Sequence, residues 1–173
     1  MIILITGASH TGKTLLAQKL LEKHRYPYLS LDHLKMGLIR SGNTTLTPED
    51  DDALTDLLFP ITREIIKTAV ENEQNLIVEG CYIPFDWRRS FDDRCLRSIR
   101  FICLAMTERY INDHFDDIMA HESVIESRVT DADLTMESLK ESNRAFIEGF
   151  SRAGERITLI DSDFVEAVAA LTR

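Results

Sequence analysis

Apolar residues fall along this chain in two rhythms. Five short segments, Ile2–Thr6, Tyr28–Leu31, Asn75–Val78, Ile99–Ala105 and Arg156–Ile160, are dense in branched or apolar residues and read as strands. An unbroken run such as Ile2–Thr6 suits a strand buried on both faces. Between them the spacing becomes helical. Leucines at 15, 16, 20 and 21 mark a helix over Thr14–Leu21, and Leu34, Met36, Leu38 and Ile39 mark another, with Asp32 where an N-cap belongs. Ser41-Gly42-Asn43 ends it. Thr47-Pro48-Glu49-Asp50 predicts a strong helix start, with a capping hydroxyl, an early proline and acids against the dipole. Apolar residues at 54, 57, 58, 61, 65 and 69 then hold one face through Pro60, which predicts a kinked helix or two abutting ones. Residues 107–135 are polar and acidic without a clear strand, and helices follow at Leu139–Phe150 and Phe164–Leu171. Strands alternating with helices predict a parallel sheet with right-handed crossovers inside a three-layer α/β fold.

Composition narrows the classes. With 173 residues, 44% of them hydrophobic, and without internal repeats or linker-like tracts, the chain is expected to form a single domain over 1–173. Twenty basic residues against 29 acidic ones leave a net charge of −9, which argues against nucleic acid as a partner. No apolar run approaches the ~20 residues of a membrane span, and MIILITG lacks the length and basic flank of a secretory signal. Three cysteines, Cys81, Cys95 and Cys103, show no CxxC spacing and read as reduced thiols in a cytoplasmic protein.

The chemistry starts in "LITGASHTGKTLL", residues 4–16. Gly7, Gly12, Lys13 and Thr14 fit G-x-x-x-x-G-K-[ST], with a strand before and a helix after. Two glycines let the backbone wrap so that N–H groups from Gly7, Ala8, Ser9, His10, Thr11, Gly12, Lys13, Thr14 and Leu15 gather around an anion at a helix N-terminus. Lys13 can reach terminal phosphates, and the Thr14 hydroxyl can ligate Mg²⁺. His10 fills a variable position and has no role of its own. The expected ligands are ATP and Mg²⁺.

On ITGASHTGKT at 5–14, the aspartate of YLSLDHL at 28–34 and NLIVEG at 75–80, the chain resembles the small P-loop kinases, both adenylate-kinase-like and shikimate-kinase-like. It is most similar to single-domain small-molecule kinases of the phosphoglycerate-kinase-like, zeta-toxin-like and chloramphenicol-phosphotransferase-like kinds. The resemblance implies a P-loop NTPase fold with a five-stranded parallel sheet in the order 2-3-1-4-5. It also implies acceptor-side helices over about 32–73 and a lid after the fourth strand, over about 107–135.

It further implies that Asp32 receives or orients the acceptor hydroxyl's proton, although an N-cap aspartate would look the same. Glu79, after the third strand, would stand near the metal. The sequence Glu79-Gly80-Cys81-Tyr82-Ile83-Pro84 departs from the aspartate-Gly-x-Pro-Arg usual in adenylate kinases. Lid arginines would meet the transferring phosphoryl group, which makes Arg128 and Arg109 the candidates. That segment is nonetheless rich in acids, and His114, Asp117 and His121 read as a solvated acidic helix rather than a metal cluster.

Arg40, Arg63, Arg88 and Arg89 could clasp an anionic acceptor, and Trp87 and Phe85 could wall its pocket, although core packing explains them equally. Asp161-Ser162-Asp163 sits where related folds contact adenine. The expected function is ATP- and Mg²⁺-dependent phosphoryl transfer to a hydroxyl or phosphate of a small molecule, catalysed by Lys13, Asp32, Glu79 and Arg128, with Thr14 and Glu79 toward the metal. The rivals are a nucleoside monophosphate kinase, a toxin-like kinase of sugar nucleotides and a regulatory NTPase; no guanine-reading N-K-x-D occurs.

Overall fold

A computed structural model describes residues 1–120 and 134–172. Five strands, β1 (Ile2–Gly7), β2 (Tyr28–Ser30), β3 (Leu76–Glu79), β4 (Ile99–Met106) and β5 (Ile157–Ile160), form one sheet in the order β2-β3-β1-β4-β5. Every pairing is parallel. The helices are α1 (Lys13–His24), α2 (Leu31–Arg40), α3 (Asp51–Glu71), α4 (Asp93–Ser98), α5 (Glu108–Ala120), α6 (Met136–Arg152) and α7 (Phe164–Leu171). The expected sheet and strand order are therefore observed.

The alternation of β1 divides the core. Ile2 and Leu4 join Leu31, Leu54, Leu58, Ile66 and Phe150 on one face. Ile3 and Ile5 meet Leu16, Leu20 and Val168 of α1 and α7 on the other. With both faces covered, β1 has no polar side to show and reads as the continuous apolar run that located it. Each such fully buried Leu or Ile is worth roughly 1.5–3 kcal/mol relative to exposure, so the sheet is held from both sides.

Three local expectations are corrected. Asp32 is not an N-cap: α2 starts at Leu31, directly after β2, with Ser30 at the cap position and Asp32 inside the first turn. Thr47 does not cap α3 either. Asp50 instead accepts hydrogen bonds from the Thr47 N–H (2.7 Å) and hydroxyl (2.9 Å), closing a small turn ahead of the helix. Pro60 lies inside one continuous 21-residue helix with its ring exposed, so of the two expected arrangements the pair of abutting helices is not observed: one helix runs through the proline.

Between β3 and β4, where the spacing predicts no element, a short 3-10 turn at Trp87–Ser90 and α4 stand. Trp87 is fully buried, stacked on Phe101 at 5.0 Å and edge-on to Phe91 at 5.9 Å. It is a core residue. Within the expected lid, α5 buries Ile111 and Ile118 and breaks helical geometry at His114. The remainder of that segment, including Arg128 and His121, lies outside the described residues.

Candidate active site

The loop between β1 and α1 owes its path to its glycines. Gly7 has φ +148°, and a Cβ there would lie 2.1 Å from the Leu104 carbonyl oxygen of β4. His10 at φ 64° and Gly12 at φ 75° are also left-handed. Such changes of hand can turn successive N–H groups toward one concave side. Gly12 holds the N-cap position of α1. Among the described residues no side chain caps that helix, and its first turn carries no acid. The orphan N–H groups and the positive dipole end are thus left for a ligand to satisfy. Lys13, only 9% exposed, folds back so that its ammonium donates to the Ala8 carbonyl at 2.7 Å. The Thr11 hydroxyl donates to the same oxygen at 2.8 Å. A phosphate reaching this loop meets a lysine already at its rim.

Glu79 ends β3, opposite Ser30 of β2 and Ile5 of β1 in the parallel registers. Its side chain is 1% exposed. Oε1 accepts from the Tyr28 hydroxyl (2.7 Å), the Ser30 hydroxyl (3.2 Å) and, at 3.5 Å, the Thr14 hydroxyl. Oε2 is buried with no hydrogen-bond partner among the described residues. An unpaired buried carboxylate oxygen costs about 1–3 kcal/mol or more, so it signals a partner that the chain does not supply. Thr14 and Glu79 were the residues expected to face the metal, and the fold brings them together. A hard cation with its water shell suits this oxygen-only donor set.

Asp32 stands in the first turn of α2, 29% exposed at its side chain, with Lys35 Nζ 3.0 Å from Oδ1. Lys35 also donates to the Tyr82 hydroxyl at 2.7 Å, with its ammonium 5.2 Å from the ring centre. Tyr82 in turn donates to Asp51 Oδ1 at 3.5 Å. Burial pushes the Asp51 carboxyl above its ordinary value, with Lys35 opposing. Burial and the neighbouring acids raise the Tyr82 phenol and keep it a donor. Sequence reasoning missed Tyr28, Ser30, Lys35, Asp51 and Tyr82. Tyr28 and Ser30, two apart on the edge strand β2, share a face toward Glu79, and polar residues repeating with period two there were the available signal.

Four of the five described candidate arginines pair with acids. Arg63 pairs with Glu64 at 2.7 Å and Arg89 with Asp86 at 3.7 Å. Arg88 grips both oxygens of Glu155 and covers Trp87. Arg40 is exposed at the end of α2. Arg109 pairs with Asp161, which also accepts from Thr107 at 2.8 Å, so the base of α5 is fastened to the loop after β5. An open cavity of about 680 Å³ lies between α3 and the start of β3, lined by Pro27, Ile61, Ile65 and Leu76. Leu76 pairs with Ile2, five residues from Gly7, so at ~3.3 Å per residue this cavity stands about 17 Å from the phosphate loop.

No protein-family model and no curated protein matches the sequence. Solved structures do match its fold. A gluconokinase from Sinorhizobium meliloti 1021 aligns with 98% of this chain and 92% of its own at 16% identity and TM-score 0.53. A sugar kinase from a Janibacter species covers 98% and 91% at 17% identity and TM-score 0.57. A shikimate kinase from Bacteroides thetaiotaomicron covers 99% and 95% at 16% identity and TM-score 0.55. The chain has the fold of the small P-loop kinases. The loop, Glu79 and Asp32 all lie at the carboxyl ends of β1, β3 and β2, the edge where open parallel sheets bind ligands. No helix among the described residues is long and apolar enough to cross a membrane.

Proposed function

We propose that this chain is an ATP- and Mg²⁺-dependent kinase that phosphorylates a hydroxyl of a small molecule. The observation that carries the reading is the uncapped start of α1 behind the Gly7–Thr14 loop, facing the buried carboxylate of Glu79 with its unpaired oxygen. Phosphoryl transfer asks a protein mainly to hold phosphates, meet their charge and align the acceptor. Backbone N–H groups of residues 7–15 hold the phosphates. Lys13 leaves the Ala8 carbonyl to meet charge on the terminal phosphates. Thr14, directly, and Glu79, through water, would hold Mg²⁺, which when bound neutralises phosphate oxygens. Tyr28 and Ser30 keep Glu79 turned to that task.

Asp32 orients the acceptor hydroxyl and takes its proton, and Arg128, with the segment around it, is assigned to the closing lid. A nucleoside monophosphate kinase must clasp a second phosphate; Arg63, Arg88 and Arg89 stand in surface ion pairs, which leaves Arg40, exposed at the end of α2, as the described candidate for that task. ADP release from ATP and Mg²⁺ across a panel of small hydroxylated acceptors tests it. General-base help is worth about 10²–10⁴-fold, so Asp32→Asn should lower acceptor-dependent turnover by that factor while ATP affinity stays unchanged. Near-full turnover in that variant refutes the role of Asp32. Equal ADP release with and without every acceptor favours the regulatory NTPase instead.

A further inference from the structure

The phosphate loop touches an aromatic side chain that the transfer chemistry does not use. Gly12, at φ 75°, holds the N-cap of α1, and glycine adopts positive and negative φ about equally. The residue therefore permits the turn without fixing it. One side is held by the helix itself, where the Gly12 carbonyl accepts from the Leu16 N–H at 2.9 Å. The other side is covered by Phe164: a Cβ on Gly12 would collide with Cζ of that ring and lie 2.5 Å from Cε2. The ring tip occupies the space where any other residue at this position would place its side chain.

Phe164 reaches the loop from a fastened base. It opens α7, where Asp163 caps the helix by accepting from the Glu166 N–H at 2.9 Å. Just before it, the Ile160 carbonyl accepts from the Thr107 N–H at 3.0 Å. Asp161 accepts from the Thr107 hydroxyl at 2.8 Å and pairs with Arg109, so the segment is tied to the start of α5. Among the described residues Phe164 alone packs against two apolar clusters: one holds Ile5 and Leu16 beside the loop, the other Ile111 of α5 and Leu139 of α6. Close-packed interiors transmit strain. A ring wedged between the two clusters cannot leave Gly12 without disturbing its contacts at α5.

We propose that Phe164 is a positioning residue whose ring holds Gly12 in the left-handed turn that gathers phosphate and carries occupancy of the loop to α5. The proposal rests on the kinase reading, since it takes the loop to hold phosphates. Bound phosphate stabilises only the turn that seats the ring, so it also stabilises the packing of the ring beside Ile111. Where only a fraction of the molecules has the competent turn, apparent affinity falls by that fraction. Removing the ring should thus weaken every ligand that the loop holds by its phosphates, whatever base it carries.

Titration calorimetry with Mg²⁺ compares ATP with inorganic tripolyphosphate, which has no base, on the full chain and its Phe164→Leu variant. The variant should bind both roughly tenfold more weakly, as expected when the competent turn falls to about a tenth of the molecules. Hydrogen exchange of α5 is the second readout, because a ring that merely fills space would not make it respond to ligand. Saturating tripolyphosphate should slow the amides of residues 111–113 severalfold in the wild type and leave them unchanged in the saturated variant. Should Phe164→Leu fold poorly, Phe164→Met keeps a flexible apolar chain without the ring and takes its place. Weakening of ATP alone would put the ring against the base and overturns the proposal. So do unaltered affinity for both ligands, no slowing in the wild type, slowing that persists in the variant, and failure of tripolyphosphate to bind a wild type that binds ATP. Each of these leaves the kinase reading standing. Failure of ATP itself to bind the wild type overturns the kinase reading.

Discussion

Replacing Glu79 by Gln should stabilise the ligand-free protein and impair its response to Mg²⁺. Glu79 is 1% exposed, and its carboxylate draws on hydroxyls of Tyr28, Ser30 and Thr14 at one oxygen only. Burying an ion costs several kcal/mol even after relaxation. Hydrogen bonds to a charged acceptor contribute about 1.5–3 kcal/mol against 0.5–1.5 for neutral ones. Turning the contacts with Tyr28 and Ser30 into neutral ones therefore loses about 2 kcal/mol in all, by the same figures. The amide nitrogen at the position of Oε2 inherits an unmet polar site and leaves that term nearly unchanged. A net gain of about 1–2 kcal/mol remains, or roughly 2–8 °C in melting temperature for a domain of this size.

With ATP present, added Mg²⁺ should raise the melting temperature of the wild type through ligand linkage and raise that of Glu79→Gln far less. Thermal melts with ATP across a Mg²⁺ series give both quantities. A variant that melts lower without ligand, yet gains as much from Mg²⁺ as the wild type, would refute the reasoning: Glu79 would then be a structural acid.

Two further substitutions probe the frame around the site. Gly7→Ala forces a Cβ to 2.1 Å from the Leu104 carbonyl oxygen at φ +148°; backbone strain of about 1–3 kcal/mol and overpacking of about 1–3 kcal/mol should each appear in chemical denaturation, and a change below ~1 kcal/mol would show that the loop moves freely. Asp51 has its carboxyl raised by burial, so the charge it must carry once pH exceeds its folded-state value opposes folding. The favourable linkage is complete below the ordinary carboxylate range and disappears as pH rises through the folded-state value. Asp51→Asn should accordingly match the wild type in stability at acidic pH and exceed it near neutrality, and a gap that is constant across pH contradicts the assignment.

What the sequence disclosed depended on how local each feature is. Gly7, Gly12, Lys13 and Thr14 lie within eight residues, so their pattern alone located the phosphate loop. The strands were legible because both faces of β1 are buried and its apolar run is unbroken. Asp32 was read as a cap because such caps normally follow a coil residue, whereas here β2 passes straight into α2 and Ser30 takes the position. Pro60 suggested a kink or a break because the sequence does not say which side of a helix faces water; its ring is exposed, and α3 continues through it as one helix. The turn at Trp87 and α4 went unseen because in FDWRRSFDDRCL the few apolar residues at helical spacing, Trp87, Phe91 and Cys95, stand among charged ones, and its fold depends on Trp87 finding Phe101 on a later strand. The network from Asp32 through Lys35 and Tyr82 to Asp51 joins three segments, and only tertiary structure could assemble it.

The central claim is that Gly7–Thr14 holds the phosphates of ATP with Lys13 as its charge. Titration calorimetry of ATP with Mg²⁺ into the wild type and Lys13→Ala tests it most directly. Charge-assisted hydrogen bonds contribute about 1.5–3 kcal/mol, so the variant should bind roughly 10–150-fold more weakly, while a melt confirms that it is folded. Equal affinity in the two proteins, or no binding by the wild type, would contradict the account.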